Sequence, residues 1–278
     1  LIKIVVDSTA DLSPEIAADL DISVVPCLIQ FGDRTFRDGV DMSRAEFYAR
    51  METDPHFPST ATPAPGVFAE TYRRLADKAD AIVSIHLSAN YSGIFGAARL
   101  GAEEVADSQR VVPVDSGQVC LGMGLMAILA AQAARAGASL GEILDLLENL
   151  KPRTHLFALL DSLDNVSRGG RINPLVARVG NMLRIKPILH IHRGQILLHD
   201  RPRSRERGLQ HLVASVRALA PFECVALIHT QRPEATAALS KMLADLLPAQ
   251  TYTLEAGVTI GAHAGKGAAG VAMVCTHA

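Results

Sequence analysis

Short runs of branched apolar residues, each giving way to a polar loop and then to a helical pattern, constrain this chain more than any other feature. IKIVV (2–6) empties into DSTADLSPE, where Asp11 or Ser13 can cap a helix whose first turn holds Pro14 and Glu15. AIVSI (81–85) leads through HLSANYSG to the helical pattern IFGAARLGAEEVA, and VVPV (111–114) leads through a DSG turn to QVCLGMGLMAILAAQAARA. Continuous apolar strands are buried on both faces, and strand–helix alternation implies right-handed crossovers in a parallel sheet. The predicted class is therefore α/β. Helix 119–135 is apolar nearly all round, which predicts burial or a place at a domain interface. LGEILDLLENL (140–150) closes this half with a second helix.

Between these units, ISVVPCLIQF (22–31) and RTFRDG (34–39) read as two strand-like runs joined at Gly32-Asp33, a hairpin signal. SRAEFYARM (43–51) is a short amphipathic helix, TDPHFPSTATPAP (53–65) a loop without periodicity, and a further helix runs from about Pro65 to Lys78. After Lys151-Pro152 the texture changes: strand THLFALL, polar loop DSLDNVSRGGR, a helix opened by Pro174, and a hairpin of KPILHIH and QILLH about Arg193-Gly194. Helix, strand, helix and strand follow before VAMVC ends the chain as a strand. Hairpins among βα units predict a mixed sheet. The expected organisation is two domains, a Rossmann-like parallel-sheet domain over 1–151 and a mixed-sheet α/β domain over 152–278.

With 49% apolar residues in 278, a sizeable core is expected, and a net charge of -2 argues against non-specific nucleic-acid binding. Four scattered cysteines without C-x-x-C suit free thiols in a reducing compartment. Nothing N-terminal resembles a signal peptide, and VCLGMGLMAILAAQAA is too short to span a bilayer. A cytoplasmic protein with no integral membrane segment is expected.

GVTIGAHAGKGAAG (257–270) crowds five glycines around His263 and Lys266, so backbone there must pass close to a ligand or another segment. Gly265, Gly267 and Gly270 spell G-x-G-x-x-G. A dinucleotide fingerprint, however, must open a helix with an acidic residue about 20 positions on, and only eight residues remain. A Walker loop fails because Gly261 to Lys266 is one residue short and Gly267 replaces Ser or Thr. The stretch reads as a close-packed loop. Loops beyond the carboxyl ends of the first strands carry Ser8, Ser88, Ser92 and Ser116, so hydroxyls recur where a ligand head group binds.

Ser92, ahead of Gly93 and a helix, is either an N-cap or part of an anion site. Thr60 is either a solvated turn residue or a head-group ligand, and His263 either a satisfied loop histidine or a partner for a carboxylate. His190, His192 and His199 lack a carboxylate or cysteine to complete a metal shell, and an exposed hairpin explains them better. There is no G-x-S-x-G elbow after a strand to support a hydrolase. RPRSRER (201–207) is a solvated face or a docking patch for an acidic partner.

Seven segments in order resemble the DegV family of bacterial fatty-acid-binding proteins: VDSTADL (6–12), PSTATPAPGVF (58–68), YSGIFGAA (91–98), VDSGQVCLGMG (114–124), GGRI (169–172), IKPIL (185–189) and GAHAGKGAAG (261–270). The resemblance implies two α/β domains holding one long-chain fatty acid, palmitate-, stearate- or oleate-like, with a buried tail and no other cofactor or metal. It implies a carrier without catalytic residues, the binding subunit of a fatty acid kinase. An ATP-dependent catalytic subunit would phosphorylate the bound carboxylate to an acyl phosphate for phospholipid synthesis. The family's carboxylate-binding threonine and serine match Thr60 and Ser92, and its supporting histidine matches His263. Ser8, Ala61, Gly93, Ile94, Arg171, Gly261 and Ala262 fall in supporting positions, and arginines implicated in meeting the kinase match Arg203 and Arg205. The chain departs from the family where T-S-Q-P-S becomes Thr60-Ala61-Thr62-Pro63-Ala64, where Ser-Gly-Thr becomes Ser92-Gly93-Ile94, and where a frequent proline becomes Lys266. The rival readings are a small-molecule hydrolase or transferase using Ser92 with His263 as base, and a lipid-sensing regulatory protein.

Overall fold

The computed structural model describes residues 1–107, 109–171 and 185–277. The first part of the chain forms β1 (Ile2–Asp7), a 3-10 turn (Ser8–Ala10), α1 (Pro14–Asp19), β2 (Ile22–Val25), β3 (Leu28–Phe31), β4 (Arg34–Arg37), α2 (Arg44–Thr53), β5 (Ser59–Ala61) and α3 (Pro65–Ala76). Next come β6 (Ala81–His86), α4 (Ile94–Glu103), β7 (Val111–Asp115), α5 (Cys120–Arg135) and α6 (Leu140–Leu150). The remainder holds β8 (Thr154–Leu159), α7 (Asp164–Arg168), β9 (Ile188–His192), β10 (Gln195–Asp200), α8 (Arg205–Arg217), β11 (Phe222–His229), α9 (Pro233–Met242), β12 (Thr251–Glu255), α10 (Val258–Ala264) and β13 (Ala269–Cys275). The helix expected from Pro174 lies outside the described residues.

The predicted parallel sheet is present, with four strands in the order β2-β1-β6-β7 and Ile4 opposite both Ile22 and Val83. A six-stranded mixed sheet has the order β10-β9-β8-β13-β11-β12, in which β11 and β12 are parallel and the other neighbours antiparallel. Helix α5 lies between the two sheets. Its residues from Cys120 to Ala131 are all buried, in a core that takes Val6 and Ile85 from one sheet and Leu156, Ala226 and Ala272 from the other. A helix with a sheet on both sides has no face to give to water, which is why its sequence shows no polar stripe.

The three-stranded sheet β4-β3-β5 was not foreseen. The run ISVVPCLIQF is two strands, because Pro26 cannot donate to a ladder and the Cys27 N–H turns aside to Ser8 Oγ at 3.0 Å. β2 joins the parallel sheet, while β3 pairs with β4 across the expected Gly32-Asp33 turn. The supposedly irregular PSTATPAP loop supplies β5, with Thr60 opposite Ile29. The polar loop after β8 likewise contains α7.

The glycine-rich stretch also differs from its reading as a loop. Its first half is α10, packed on the three-stranded sheet and α2 in a core of Ile29, Phe47, Tyr48, Val258 and Ala262. Local composition disfavours a helix there, but two carboxylates from the other end of the chain receive its first N–H groups. Gly257 N donates to Asp11 Oδ1 at 2.7 Å, and Thr259 N to Asp38 Oδ2 at 3.1 Å. Asp11 is thus committed to α10, and Ser13 caps α1.

Candidate functional site

Three elements bring the sequence-predicted polar residues to one cavity between the sheets. β5 presents Thr60, the loop after β6 presents Ser92, and α10 presents His263. Thr60 Oγ1 and His263 Nε2 are 3.0 Å apart although 203 residues separate them in sequence. Ser92 Oγ accepts from Ile94 N at 3.3 Å, so it caps the first turn of α4 while its own proton stays available. Ala61, Thr62, Ile94 and Arg171 line the same region. Leu156, Ala158 and Leu160 from β8 and its end, Leu189 and Ile191 from β9, and Ile196 from β10 supply apolar wall, and Thr230 and Thr259 also face the cavity. The cavity encloses about 1100 Å³ of space free of protein atoms, counting its solvent-facing mouth.

Burial, with the Arg171 charge nearby, pushes the His263 imidazole down to about 4, so the ring is neutral near pH 7. Its Nδ1 is buried, abuts the backbone of Gly169, and has no hydrogen-bond partner among the described residues. A lone pair is the cheaper group to leave unmet there, so the hydrogen-bond pattern assigns the ring proton to Nε2. Thr60 Oγ1 then accepts from His263, and the threonine proton is free to point into the cavity. Two hydroxyl donors, Thr60 and Ser92, in a largely apolar space make a site for an acceptor group, a carboxylate above all.

The other predicted positions divide by what they touch. Ser8 does not line the cavity: its hydroxyl donates to Asp38 Oδ2 at 3.0 Å. Gly93, Gly261 and Ala262 are also outside the wall. Of the two alternatives for the glycine-rich stretch, a ligand or another segment, Gly261 and Gly265 make room for protein, while Gly270 lines the cavity. A Cβ on Gly261 would lie 2.5 Å from Tyr48 Oη, and one on Gly265 would lie 3.1 Å from Asn165. Arg203 is exposed, whereas Arg205 turns inward, donating to Asp161 Oδ1 at 3.1 Å and to the Gly267 carbonyl at 2.6 Å. Lys266, at the family's frequent proline, pairs with Glu52 of α2.

No hydrogen bond joins Ser92 to His263 among the described residues, since His263 Nε2 is engaged with Thr60. A different relay, with no signature in the sequence, lies in the core. Asp7 Oδ2 meets His86 Nδ1 at 3.0 Å, His86 Nε2 meets Ser84 Oγ at 2.6 Å, and Ser84 Oγ meets Tyr72 Oη at 2.9 Å. Burial works to raise the Asp7 carboxyl, but the His86 contact and the Thr9 and Leu87 donors outweigh it and hold the group low. All four residues are fully buried and none lines the cavity, so the relay ties β1, β6 and α3 together and has no access to a substrate. His190 and His192 are half-buried, stacked with His155, whose ring centroid is 4.0 Å from that of His192. No group of metal-ligating side chains is found among the described residues.

The family model described as DegV, uncharacterised proteins of the DegV family, matches residues 1–276. The chain belongs to the DegV family. It is 36% identical over 276 residues to a DegV domain-containing protein of Deinococcus radiodurans, covering 98% of each chain. Against protein DegV of Bacillus subtilis it is 32% identical over 276 residues, covering 97% of this chain and 98% of that one. A DegV family protein from Thermus thermophilus, described by its fatty acid binding, superposes with a TM-score of 0.91 at 28% identity over 99% of both chains. The solved Bacillus subtilis DegV, described as a fatty acid binding protein, gives 0.88 at 30% identity over 99% of both. A stearic acid-binding protein from Eubacterium ventriosum gives 0.89 at 25% identity, covering 99% of this chain and 98% of that one. The architecture is the two-domain α/β fold of the DegV family. No helix among the described residues is long and apolar enough to cross a membrane.

Proposed function

We propose that this protein binds one long-chain fatty acid, with Thr60 and Ser92 holding the carboxylate and His263 orienting Thr60 from behind. The observation that carries this is the make-up of the cavity: Thr60, Ser92 and a neutral His263 imidazole share it with a set of branched aliphatic side chains, Leu156, Leu160, Leu189, Ile191 and Ile196. That fatty-acid-binding family members share the fold over nearly the whole chain supports it. Burying about fourteen methylenes at ~0.8 kcal/mol each gives roughly 11 kcal/mol gross, from which association and ordering take back a large part. The tail supplies the affinity. The hydroxyls keep the carboxylate from being stranded without donors, which costs several kcal/mol in a buried site.

In the same reading the protein is a cytoplasmic carrier without catalytic residues of its own. It presents the carboxylate to a separate ATP-dependent kinase subunit, which forms an acyl phosphate for phospholipid synthesis. Arg203 is the docking residue on its exposed face, since Arg205 is occupied internally. The division into domains falls near residue 151, with 1–151 carrying Thr60 and Ser92 and 152–278 carrying His263.

Mass spectrometry of an organic extract of the purified protein, followed by oleate and palmitate titration, tests the binding. The expected result is a fatty acid near one-to-one stoichiometry. A protein that arrives empty and takes up neither lipid refutes it.

A further inference from the structure

The wall of the cavity names the residues that meet a ligand, but not what holds them in register. α10 has no side-chain cap of its own, because its N-cap is Gly257. Asp38, 7% exposed, follows the last residue of β4, and its backbone N–H donates to the Cys27 carbonyl at 2.9 Å. Its Oδ2 accepts three hydrogen bonds, from Thr259 N at 3.1 Å, Thr259 Oγ1 at 2.7 Å and Ser8 Oγ at 3.0 Å. Thr259 is one helical turn before His263 and on the same face of α10. β3 pairs with β4, which leads into Asp38, and with β5, which carries Thr60. Asp38 therefore pins the histidine helix to the same small sheet that holds the histidine's partner.

We infer that Asp38, braced by Ser8, is a positioning residue of the head-group site, setting where His263 meets Thr60. The inference rests on the fatty-acid reading for its consequence, though not for its geometry. Asp11 holds Gly257 from β1's side, and Asn165 Nδ2 donates to the Ala262 carbonyl at 3.2 Å at the far end of the helix. Neither belongs to the sheet bearing Thr60. Without Asp38 the helix keeps these ties but loses its registration against β5. The three-step path Ser8–Asp38–Thr259–His263 links the loop after β1 to the site, although Ser8 itself stays out of the cavity.

The test compares Asp38→Ala and Asp38→Asn with wild-type protein in two measurements: oleate affinity by calorimetry, and the His263 titration by NMR of histidine-labelled protein without ligand. In Asp38→Ala, oleate Kd should rise roughly tenfold, since small misplacements in a preorganised site are expensive. The His263 midpoint should climb from about 4 toward 6.5 as the ring loosens from its buried contact. Asp38→Asn retains an oxygen that can accept from Thr259 and should restore most of both readings. If Asp38→Ala leaves the titration and the affinity at wild-type values, Asp38 is a helix cap only and the inference is overturned. Should circular dichroism show Asp38→Ala unfolded, Thr259→Val replaces it. That variant deletes the hydroxyl donor to Asp38 at a residue that also lines the cavity, so the ligand-free titration is its deciding reading: the His263 midpoint should move in the same direction by a smaller amount, and no movement would overturn the inference. Failure of wild-type protein to bind oleate refutes the fatty-acid reading, and the ligand-free titration still decides the positioning role.

Discussion

Replacing Gly261 by alanine probes the packing that seats α10. A Cβ at this position would lie 2.5 Å from Tyr48 Oη, 3.0 Å from Tyr48 Cζ and 3.1 Å from Phe47 Cε1. Tyr48 is 1% exposed and Phe47 0%, so neither ring can swing out to make room. Overpacking of this kind costs about 1–3 kcal/mol, against a gain of about 1 kcal/mol for alanine over glycine inside a helix. The net expectation is a loss of up to about 2 kcal/mol, or a fall of up to roughly 8 °C in Tm for a chain of this size. Because His263 is two residues further on, the displaced helix also stretches the 3.0 Å contact with Thr60, and oleate affinity falls. Urea denaturation and calorimetry measure the two effects. Gly96→Ala in α4, where nothing lies within 4 Å of the added methyl, is the control and should stabilise by about 0.5–1 kcal/mol. Tyr48→Phe adds the decisive arm. The Tyr48 hydroxyl is buried with no partner among the described residues, so its removal should be close to neutral. Combined with Gly261→Ala it removes the nearest clash, and the double mutant should be more stable than additivity predicts by at least about 0.5 kcal/mol. Additive single effects would refute the claim that this glycine exists to admit Tyr48.

Thr60→Val and Ser92→Ala should each weaken oleate binding roughly tenfold, the worth of one hydrogen bond to a buried charge, while Ala158→Phe should exclude long chains by filling the apolar wall; equal affinity for all three in calorimetry contradicts the assigned polarity. Burial pushes His263 and His190 down to about 4 and His155 to about 3 from an ordinary 6.5. Lowered folded-state values mean that the unfolded chain binds protons first. Stability contributed by these rings is therefore present above about 6.5 and lost as pH falls toward 4, and a flat urea midpoint across that window would count against it. Asp11 has the opposite sign: burial raises it from 3.8 to about 7, so its contribution is present below 3.8 and lost as pH rises through 7. Asp11→Asn should consequently be more stabilising at pH 8 than at pH 5, and equal effects at the two pH values would contradict this. Arg203→Glu should leave oleate binding unchanged but weaken coupling to a kinase subunit, an effect that ought to diminish with salt.

The family could be read from the order of short motifs, and the parallel sheet from runs such as IKIVV and AIVSI, because burial on both faces writes itself into composition. Thr60, Ser92 and His263 could be named as candidates only through the resemblance of their motifs to the family's. The misreadings share one cause, which is that the determining partner is remote in sequence. β5 is a strand because β3 waits opposite it, with Thr60 facing Ile29, and nothing in PSTATPAP alternates. α10 is a helix because Asp11 and Asp38 receive its first N–H groups across more than 200 residues. The Asp7–His86–Ser84–Tyr72 relay was equally invisible, since its members are drawn from three separate segments and meet only in the core.

By itself, then, the sequence determined which segments are strands of a buried sheet, that helix α5 has no face for water, and which polar residues are candidates for a head group. The tertiary structure alone decided that Thr60 and His263 touch, that Ser8 acts through Asp38, and that Arg205 faces inward to Asp161. It also decided what the glycines of 257–270 are for: Gly261 admits Tyr48, and Gly265 admits Asn165. Periodicity records how much of an element is buried, a property of the residue itself. Which group a side chain meets depends on closing loops of hundreds of residues, and local pattern carries no record of that.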